Sequence, residues 1–340
     1  MKTCNCFCSI IPPIIVDNLK KNGVEFDSKT TAINRSFRLR RSLKLKNLNL
    51  LVAAIPGKAD RLVYDSKHTT HQRLAMLIRE GGNPIADVAA TEAYTNAGLV
   101  RKFYKEVLNW NSMDDQGMDM IMNVHYSNKY NNAFWDGDEM TFGDGDGQIF
   151  VDFAKSLDVT GHEMTHGVVQ YTAGLTYNGQ SGALNEHYAD AMGSAIKQYA
   201  NNQTAATADW LIGAEVMGPS LKGQAIRSMK APGTAYNSPL LGKDPQPDHI
   251  SKYYTGSADN YGVHINSGIP NKVFYLVSVG IETQKAAILW FSTLKKMKPS
   301  TNFKGFKTKI TQTAAVLIRK GTLPANTLTI IADAFAAVGL

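Results

Sequence analysis

The sequence is poor in cysteine. Only Cys4, Cys6 and Cys8 are present among 340 residues, and all three lie within the first eight positions. The rest of the chain therefore folds without an internal disulfide bond. A Cys-x-Cys-x-Cys segment could bind a metal or take part in redox chemistry, but no His or Cys pair follows it at zinc-finger spacing. We interpret it as a short exposed terminus.

Long apolar runs are also missing. No segment approaches the ~20 apolar residues that a membrane helix needs. The apolar stretch Ser9–Val16 is interrupted by Pro12 and Pro13 and is followed by Asp17, which is not typical of a secretory signal peptide. We therefore expect a soluble protein with no membrane partner. If it is secreted, it is released without a recognisable signal peptide from a cytoplasmic precursor.

The excess of positive charge is confined to one end of the chain. The net charge is +7, and residues 1–50 carry ten Lys or Arg but only three acids, so the other 290 residues balance at 26 basic and 26 acidic side chains. A nucleic-acid-binding protein would need a basic face on its folded part, and the balanced charges of residues 51–340 do not indicate one. We therefore exclude a nucleic-acid partner. Residues 1–50 have the composition of a basic propeptide or of an ordinary N-terminal extension, and a turn at Pro56-Gly57 follows them.

The expected domains of the remainder are residues 51–172 and 173–340, and the apolar pattern changes from β-rich to helical near Leu157. Between Arg61 and Phe153, alternating segments and turn clusters predict a β-rich half with one helix at Thr91–Trp110. The acidic cluster Gly143–Gly147 lacks the final Glu of an EF-hand, and we interpret it as a hairpin loop. Helical spacing predicts helices at Val159–Thr172, Gly182–Ala200, Val263–Val279, Thr283–Met297, Phe303–Arg319 and Thr327–Val338.

The most informative segment contains His-Glu-x-x-His within a helical pattern. Residues four apart lie on one face of a helix, so His162 and His166 can direct two imidazole nitrogens at one ion, with Glu163 beside it. A catalytic zinc needs a third protein ligand and one open position. Metzincins place a third His six residues after the second, but Thr172 occupies that position here. The metzincin class is therefore excluded.

Glu186, twenty residues after His166, is the candidate for the third ligand. It lies near the start of the next predicted helix, after a turn-rich connection that can bring it back to the His pair. Asp190, four residues later, and Asn185 are placed to accept the free N–H groups of the two ligand imidazoles. The predicted metal centre is one zinc ion held by His162, His166 and Glu186.

Together these residues resemble the thermolysin family of metallopeptidases, and the short basic head with Pro12-Pro13 resembles the protealysin-type branch. The motifs that carry the resemblance are Asn131–Trp135, Asp158–Asp190, Asp248-His249 with Tyr253, Asp259–Gly268 and Ala332–Leu340. The family fold is α+β and two-lobed. A β-rich N-terminal domain and a mainly helical C-terminal domain are joined by the zinc-binding helix.

The resemblance implies a role for each matching residue in peptide hydrolysis. Glu163 would act as general base and then as acid, Tyr177 and His264 would donate to the developing oxyanion, and Asp259 would orient His264. Asn132 and Ala133 would hold an extended peptide, and Arg227 would bind a primed-side carbonyl. The primed-side pocket would be lined by Phe150, Phe153, Val159 and Ile226. Because these are apolar, we expect cleavage on the N-terminal side of bulky hydrophobic residues.

The chain departs from the family at the paired calcium site. Asp158, Asp209 and Glu215 match carboxylates of that site, whereas Lys197, Leu211 and Ala214 replace three others. Two calcium ions need about 6–8 oxygen ligands each. We therefore expect zinc alone, with the Lys197 ammonium in the place of calcium.

Two other classes of protein share parts of this pattern. A zinc aminopeptidase shares the His-Glu-x-x-His…Glu layout, but its Gly-x-Met-Glu-Asn motif is absent here. A binding module that has lost turnover should lack a ligand or the base, and all four central residues are present. The expectation is a monomeric endopeptidase that acts on peptides and proteins. Its own propeptide would be an intramolecular inhibitor, removed by autolysis near Asn49-Leu50.

Overall fold

The computed structural model describes residues 8–24 and 57–340. Cys4, Cys6 and the expected cleavage site at Asn49-Leu50 lie outside the described residues. The first part of the chain contributes these elements: β1 (Cys8–Ser9), α1 (Pro13–Lys21), β2 (Arg61–Asp65), β3 (Ala75–Arg79), α2 (Val88–Leu108), β4 (Met120–Val124), β5 (Ala133–Trp135) and β6 (Met140–Phe142).

The six strands form one sheet in the order β1-β5-β6-β4-β2-β3. Strands β2, β4 and β6 are parallel neighbours, while β3 and β5 run antiparallel to β2 and β6. Strand β1 comes from the basic head and pairs antiparallel with β5, with Cys8 opposite Trp135 and Ser9 opposite Phe134. The head segment therefore completes one edge of the sheet.

Helix α2 packs on the sheet through one face of buried, mainly apolar residues. Ala90, Ala93, Ala97, Val100 and Tyr104 are buried at alternating spacings of three and four, which is the pattern of a helix with one apolar face. The Asp87 carboxylate caps the first turn by accepting from the Ala90 N–H. The confirmed α2 begins three residues before the predicted Thr91 and ends at Leu108.

The second part of the chain is mainly helical. Its helices are α3 (Leu157–Tyr171), α4 (Gly179–Ala200), α5 (Ala258–Asn266), α6 (Gly268–Ile281), α7 (Thr283–Leu294), α8 (Phe303–Arg319) and α9 (Thr327–Ala337). Short strands form two pairs, β7 (Leu211–Ile212) with β8 (Arg227–Ser228) and β9 (Asn237–Ser238) with β10 (Gly242–Lys243). Three 3-10 turns lie at Phe153–Lys155, Pro219–Leu221 and Ile250–Lys252. The expected α+β fold is confirmed.

Helices α3 and α4 lie at the centre and approach each other at two glycines. A Cβ atom on Gly193 would lie 2.6 Å from the Asp158 carbonyl oxygen, and one on Gly161 would lie 3.1 Å from the Gly193 Cα. Larger residues at either position would separate the helices. The glycines thus allow the close contact that brings Glu186 on α4 opposite the His pair on α3.

Two sequence-based interpretations differ from the structure. The predicted helix Val263–Val279 is divided into α5 and α6, and residues Asp259 to Gly262 have left-handed φ values of 49° to 75°. The Gly143–Gly147 segment is not a hairpin loop, because the chain leaves the sheet after β6 and next pairs through the isolated bridge of Phe150 to Met217. Turn residues mark where a strand ends but not which strand follows it. Within residues 8–24 and 57–340, no helix is both long and apolar enough to cross a membrane.

Candidate active site

His162, His166 and Glu186 converge in the buried interior between α3 and α4. The two His Nε2 atoms are 3.1 Å apart, and the Glu186 carboxylate oxygens lie 3.5 Å from His162 Nε2 and 3.4 Å from His166 Nε2. Ligands of a tetrahedral zinc with bonds of about 2.0–2.1 Å are separated by about 3.3 Å. The spacing and the donor set of two imidazoles and one carboxylate therefore fit one zinc ion.

The outward nitrogens of both imidazoles are held by acceptors on α4. His162 Nδ1 lies 2.8 Å from Asp190 Oδ1, and His166 Nδ1 lies 2.9 Å from Asn185 Oδ1. An amide or carboxylate oxygen accepts from Nδ1–H, which leaves Nε2 as the nitrogen of each ring that can bind an ion. The structure thus places both predicted supporting residues against the ligands.

Arg227, on β8, is completely buried and holds Asp190 by two hydrogen bonds of 2.8 Å from Nε and Nη2. Burial opposes ionisation of Asp190, but Arg227 and His162 hold the pKa of that carboxyl well below its usual range. Asp190 is therefore a carboxylate when it accepts from His162. Replacing either partner of such a buried bidentate ion pair destabilises the fold, because it leaves the other charge unpaired.

Glu163 points from α3 toward β5. Its Oε2 accepts from the Trp135 N–H at 3.0 Å. Its buried Oε1 has no hydrogen-bond partner among the described residues. Burial and the nearby Glu186 carboxylate raise the pKa of Glu163 well above its usual value. A carboxylate with one free oxygen and a raised pKa has the properties of a general base.

Tyr177 and His264 also lie against the Glu186 carboxylate. The Tyr177 hydroxyl donates to Glu186 Oε1 and lies 3.2 Å from His264 Nε2. Asp259 accepts from the backbone N–H of His264 at 2.8 Å and from its Nδ1 at 2.6 Å. Burial lowers the pKa of His264, but the carboxylates of Asp259 and Glu186 outweigh it and raise the pKa to about 9. The left-handed turn at Asp259 to Gly262 brings this carboxylate back to the ring.

The head segment lies directly across these groups. The Ser9 carbonyl oxygen is 3.2 Å from His264 Nε2, and the Ile10 N–H donates to the Ala133 carbonyl at 3.3 Å. Arg227 Nη1 donates to the Ile10 carbonyl at 3.0 Å. These contacts use the same donors and acceptors that sequence analysis assigned to a substrate backbone.

Both the sequence and the fold match known proteins. Residues 21–170 match the thermolysin metallopeptidase catalytic domain, and residues 173–340 match the thermolysin metallopeptidase alpha-helical domain. The chain belongs to the thermolysin family of metallopeptidases. Protease PrtS of Photorhabdus sp. (strain Az29) is 42% identical over 318 residues, which cover 89% of this chain and 85% of that protein.

Two further thermolysin-family relatives cover most of the chain. The extracellular metalloprotease of Pectobacterium carotovorum subsp. carotovorum is 41% identical over 318 residues, with 91% of this chain and 90% of that protein covered. The solved precursor of protealysin, a metalloproteinase from Serratia proteamaculans, superposes with a TM-score of 0.83 at 37% identity, covering 98% of this chain and 99% of that chain. The sequence-based recognition of a thermolysin-like metalloprotease is confirmed.

Asn132, which was also assigned to substrate binding in this thermolysin-family chain, contacts the head segment. Asn132 Oδ1 accepts from the Ile11 N–H at 3.1 Å, while its buried Nδ2 has no hydrogen-bond partner among the described residues. The predicted pocket residues are buried and belong to the same apolar cluster as Ile10 and Ile11: Phe150, Phe153, Val159 and Ile226. The rings of Phe150 and Phe153 lie 5.7 Å apart.

A buried chain of hydrogen bonds lies behind Asp190 and was not predicted from the sequence. Trp290 Nε1–H donates to His187 Nε2 at 2.7 Å, His187 Nδ1 lies 2.8 Å from Asn271 Oδ1, and Asn271 Nδ2 donates to Asp190 Oδ2 at 2.8 Å. Burial lowers the pKa of His187 to about 4, so the ring is neutral and donates from Nδ1. No local motif signals this network, because its members come from three helices.

Proposed function

We propose that this thermolysin-family metalloprotease is a zinc-dependent endopeptidase made as a latent precursor. It hydrolyses peptide bonds on the N-terminal side of bulky hydrophobic residues. The observation that supports this most is the position of Ser9–Ile11. An extended segment already lies in the cleft, with its backbone bound by Ala133, Asn132 and Arg227.

The register of that segment supports cleavage inside a chain rather than at its end. The peptide bond between Ser9 and Ile10 has its carbonyl oxygen facing His264 and its N–H facing the Ala133 carbonyl. Cys8 precedes it and pairs with Trp135, while Ile11 and α1 continue on the other side. An aminopeptidase must bind a free terminal amine, whereas this cleft accommodates chain in both directions.

In the proposed mechanism, His162, His166 and Glu186 would hold the zinc ion, which would supply Lewis-acid polarisation of the attacking water and the scissile carbonyl. Glu163 takes a proton from the water and passes it to the leaving amine, because burial strengthens its affinity for a proton. His264 donates from Nε2 to the carbonyl oxygen as negative charge develops on it, and Asp259 keeps the ring in position. Tyr177 would supply a second donor to the carbonyl oxygen by turning its hydroxyl from Glu186, to which it donates in this structure.

An assay on purified protein tests this function. Casein hydrolysis should be abolished by a zinc chelator and restored by one equivalent of zinc. The new N-termini should be large apolar residues, because the pocket that buries Ile10 is apolar. Activity that survives removal of zinc, or release of single amino acids from the substrate N-terminus, would contradict the proposal.

We further assign residues 1–50 to the propeptide, 51–172 to the N-terminal domain and 173–340 to the C-terminal domain. The head would keep the enzyme latent by filling the cleft, since Ser9–Ile11 contacts His264, Ala133 and Arg227, and the side chains of Ile10, Ile11, Ile15 and Leu19 are all buried. Autolysis near Asn49-Leu50 would begin its removal. We expect a monomer that is released from the cell without a signal peptide.

Calcium is not expected to contribute to this protein. Lys197 Nζ donates to Asp158 Oδ2 at 3.1 Å and to Asp209 Oδ2 at 3.3 Å. Burial lowers the pKa of Lys197, but Asp158, Asp209 and Glu215 outweigh that effect and raise it. The ammonium is therefore charged, and it supplies the positive charge that these carboxylates need in place of a calcium ion.

Removal of calcium should therefore shift the melting temperature of zinc-loaded protein by less than about 2 °C. Lys197→Ala should lower the free energy of unfolding by about 3 kcal/mol, because it leaves the buried Asp158 carboxylate without its cation. Exposed Lys285→Ala is the matched control and should melt like the wild type. The lysine would not replace the metal if the melting temperature of the wild type depended strongly on calcium. The same conclusion would follow if Lys197→Ala melted like the wild type.

A further inference from the structure

A second group of metal-binding side chains lies at one edge of the sheet. Strands β2, β4 and β6 are parallel neighbours, so their carboxyl ends meet at the same edge. His125 directly follows β4, Asp144 comes two residues after β6, and His68 comes three residues after β2. The topology therefore collects two imidazoles and a carboxylate that are far apart in sequence. We call these three residues the edge cluster.

The side chains of the edge cluster point at one another. His125 Nδ1 lies 3.0 Å from Asp144 Oδ1, and His68 Nδ1 lies 3.4 Å from Asp144 Oδ2. One potential ligand atom from each of the three residues lies within 4.8 Å of the others. Two imidazole nitrogens and one carboxylate oxygen are the donor set of many zinc sites.

The backbone around the cluster is also fixed. The His68 N–H donates to the His125 carbonyl at 2.9 Å, and the Ser127 N–H donates to the Thr69 carbonyl at 2.8 Å. His68 and His125 both have left-handed backbone, with φ values of 56° and 54°. These bonds hold the two residues beside each other although they come from different loops. Little reorganisation is needed for both rings to reach a shared ion.

Asp87 supplies the outer partner that a metal-binding histidine usually has. Its Oδ2 lies 2.9 Å from His125 Nε2, and its Oδ1 accepts from Ala90 at the start of α2. A carboxylate that accepts from Nε2–H fixes the ring. It favours the tautomer in which Nδ1, the nitrogen beside Asp144, is unprotonated and can bind an ion. The same arrangement supports His162 in the active site, where Asp190 is the outer carboxylate.

We propose that His68, His125 and Asp144 form a second binding site for a divalent first-row transition metal ion, for which Zn²⁺ is the natural probe. Imidazole ligands favour zinc over calcium or magnesium, which prefer oxygen ligands. His68 is 60% exposed at its side chain, so an ion can enter and the remaining coordination position can hold water. Binding would tie the loop after β2 to the ends of β4 and β6.

The alternative is a charged hydrogen-bond cluster, in which a protonated His125 donates to both Asp144 and Asp87. Metal binding requires that the Nδ1 proton leave to solvent as the metal–nitrogen bond forms. The two states are therefore mutually exclusive at His125 and can be distinguished by counting bound ions.

The test is equilibrium dialysis of the full chain against micromolar Zn²⁺, followed by elemental analysis. Wild-type protein should hold one more zinc ion per chain than His68→Ala. His71→Ala is the matched control, since His71 is an exposed histidine of the same loop outside the cluster, and it should hold as many ions as the wild type. Asp87→Asn keeps a helix-capping oxygen but should weaken the second site by about 10- to 100-fold.

Peptidase activity and melting temperature report separately on the catalytic zinc and on folding. Without added zinc, His68→Ala should retain both, because His68 does not contact the catalytic groups. Asp144→Asn is the second ligand variant and should lose the same ion. Equal zinc content in wild type, His68→Ala and Asp144→Asn would overturn the proposal, as would loss of the ion in His71→Ala.

Discussion

Replacement of Glu163 by Gln should abolish peptide hydrolysis while leaving zinc bound. We expect kcat/KM to fall by about 10³-fold, the usual contribution of a positioned general base. The glutamine amide retains an oxygen that can accept from the Trp135 N–H, so the fold and the approach of β5 to α3 should be preserved. The measurements are the rate of casein hydrolysis and the zinc content of the purified variant.

The same Glu163→Gln variant should also accumulate as the full-length precursor, since the proposed maturation is autolytic. Glu92→Gln, on α2 and away from the metal ligands, is the matched control and should mature and hydrolyse casein normally. A Glu163→Gln protein that keeps zinc and retains wild-type activity would show that another group acts as the base.

A synthetic peptide of residues 8–24 should inhibit the mature enzyme. Ile10→Asp in the peptide should weaken inhibition by about 100-fold or more, because it removes the burial of one Ile side chain and places a charge in an apolar pocket. Lys21→Ala is the matched control, since Lys21 is exposed at the end of α1. Inhibition constants measured against a short peptide substrate give both comparisons.

Slow cleavage of this peptide would also show which of its peptide bonds lies at the catalytic groups. Mass spectrometry should find the first cut between Ser9 and Ile10, since the Ser9 carbonyl faces His264 and the Ile10 carbonyl faces Arg227. Initial cleavage at another bond, or equal inhibition by the Ile10→Asp peptide, would mean that the head does not occupy the cleft as a substrate does.

Local sequence patterns predicted the helices well where one apolar face decides them. Helix α8 has the predicted bounds of Phe303–Arg319, and α7 begins at the predicted Thr283. The prediction was wrong where the backbone turns without a change in apolar spacing. Val263–Val279 keeps helical spacing through Ser267, yet the chain there ends one helix and begins another. Apolar periodicity reports which face is buried and not where a helix is interrupted.

The three candidate metal ligands could be predicted because two of them lie on one helix turn and the third follows at a family-specific distance. The edge cluster could not be predicted, because its three members are separated by 57 and 19 residues in sequence and meet only through strand pairing. The interpretation of Gly143–Gly147 as a hairpin loop failed for the same reason. Strand order is a tertiary property that turn composition does not encode.

By itself the sequence determined that the chain belongs to a metallopeptidase family and carries a His-Glu-x-x-His helix. It also predicted Glu186 as the third ligand and Lys197 in the place of calcium. Those conclusions depend on residue identity and short spacing, which a helix converts directly into geometry. Only the tertiary structure decided that Ser9–Ile11 lies across the catalytic groups and that His187 and Asn271 support Asp190. Such contacts depend on how separate elements pack, and no local pattern specifies them.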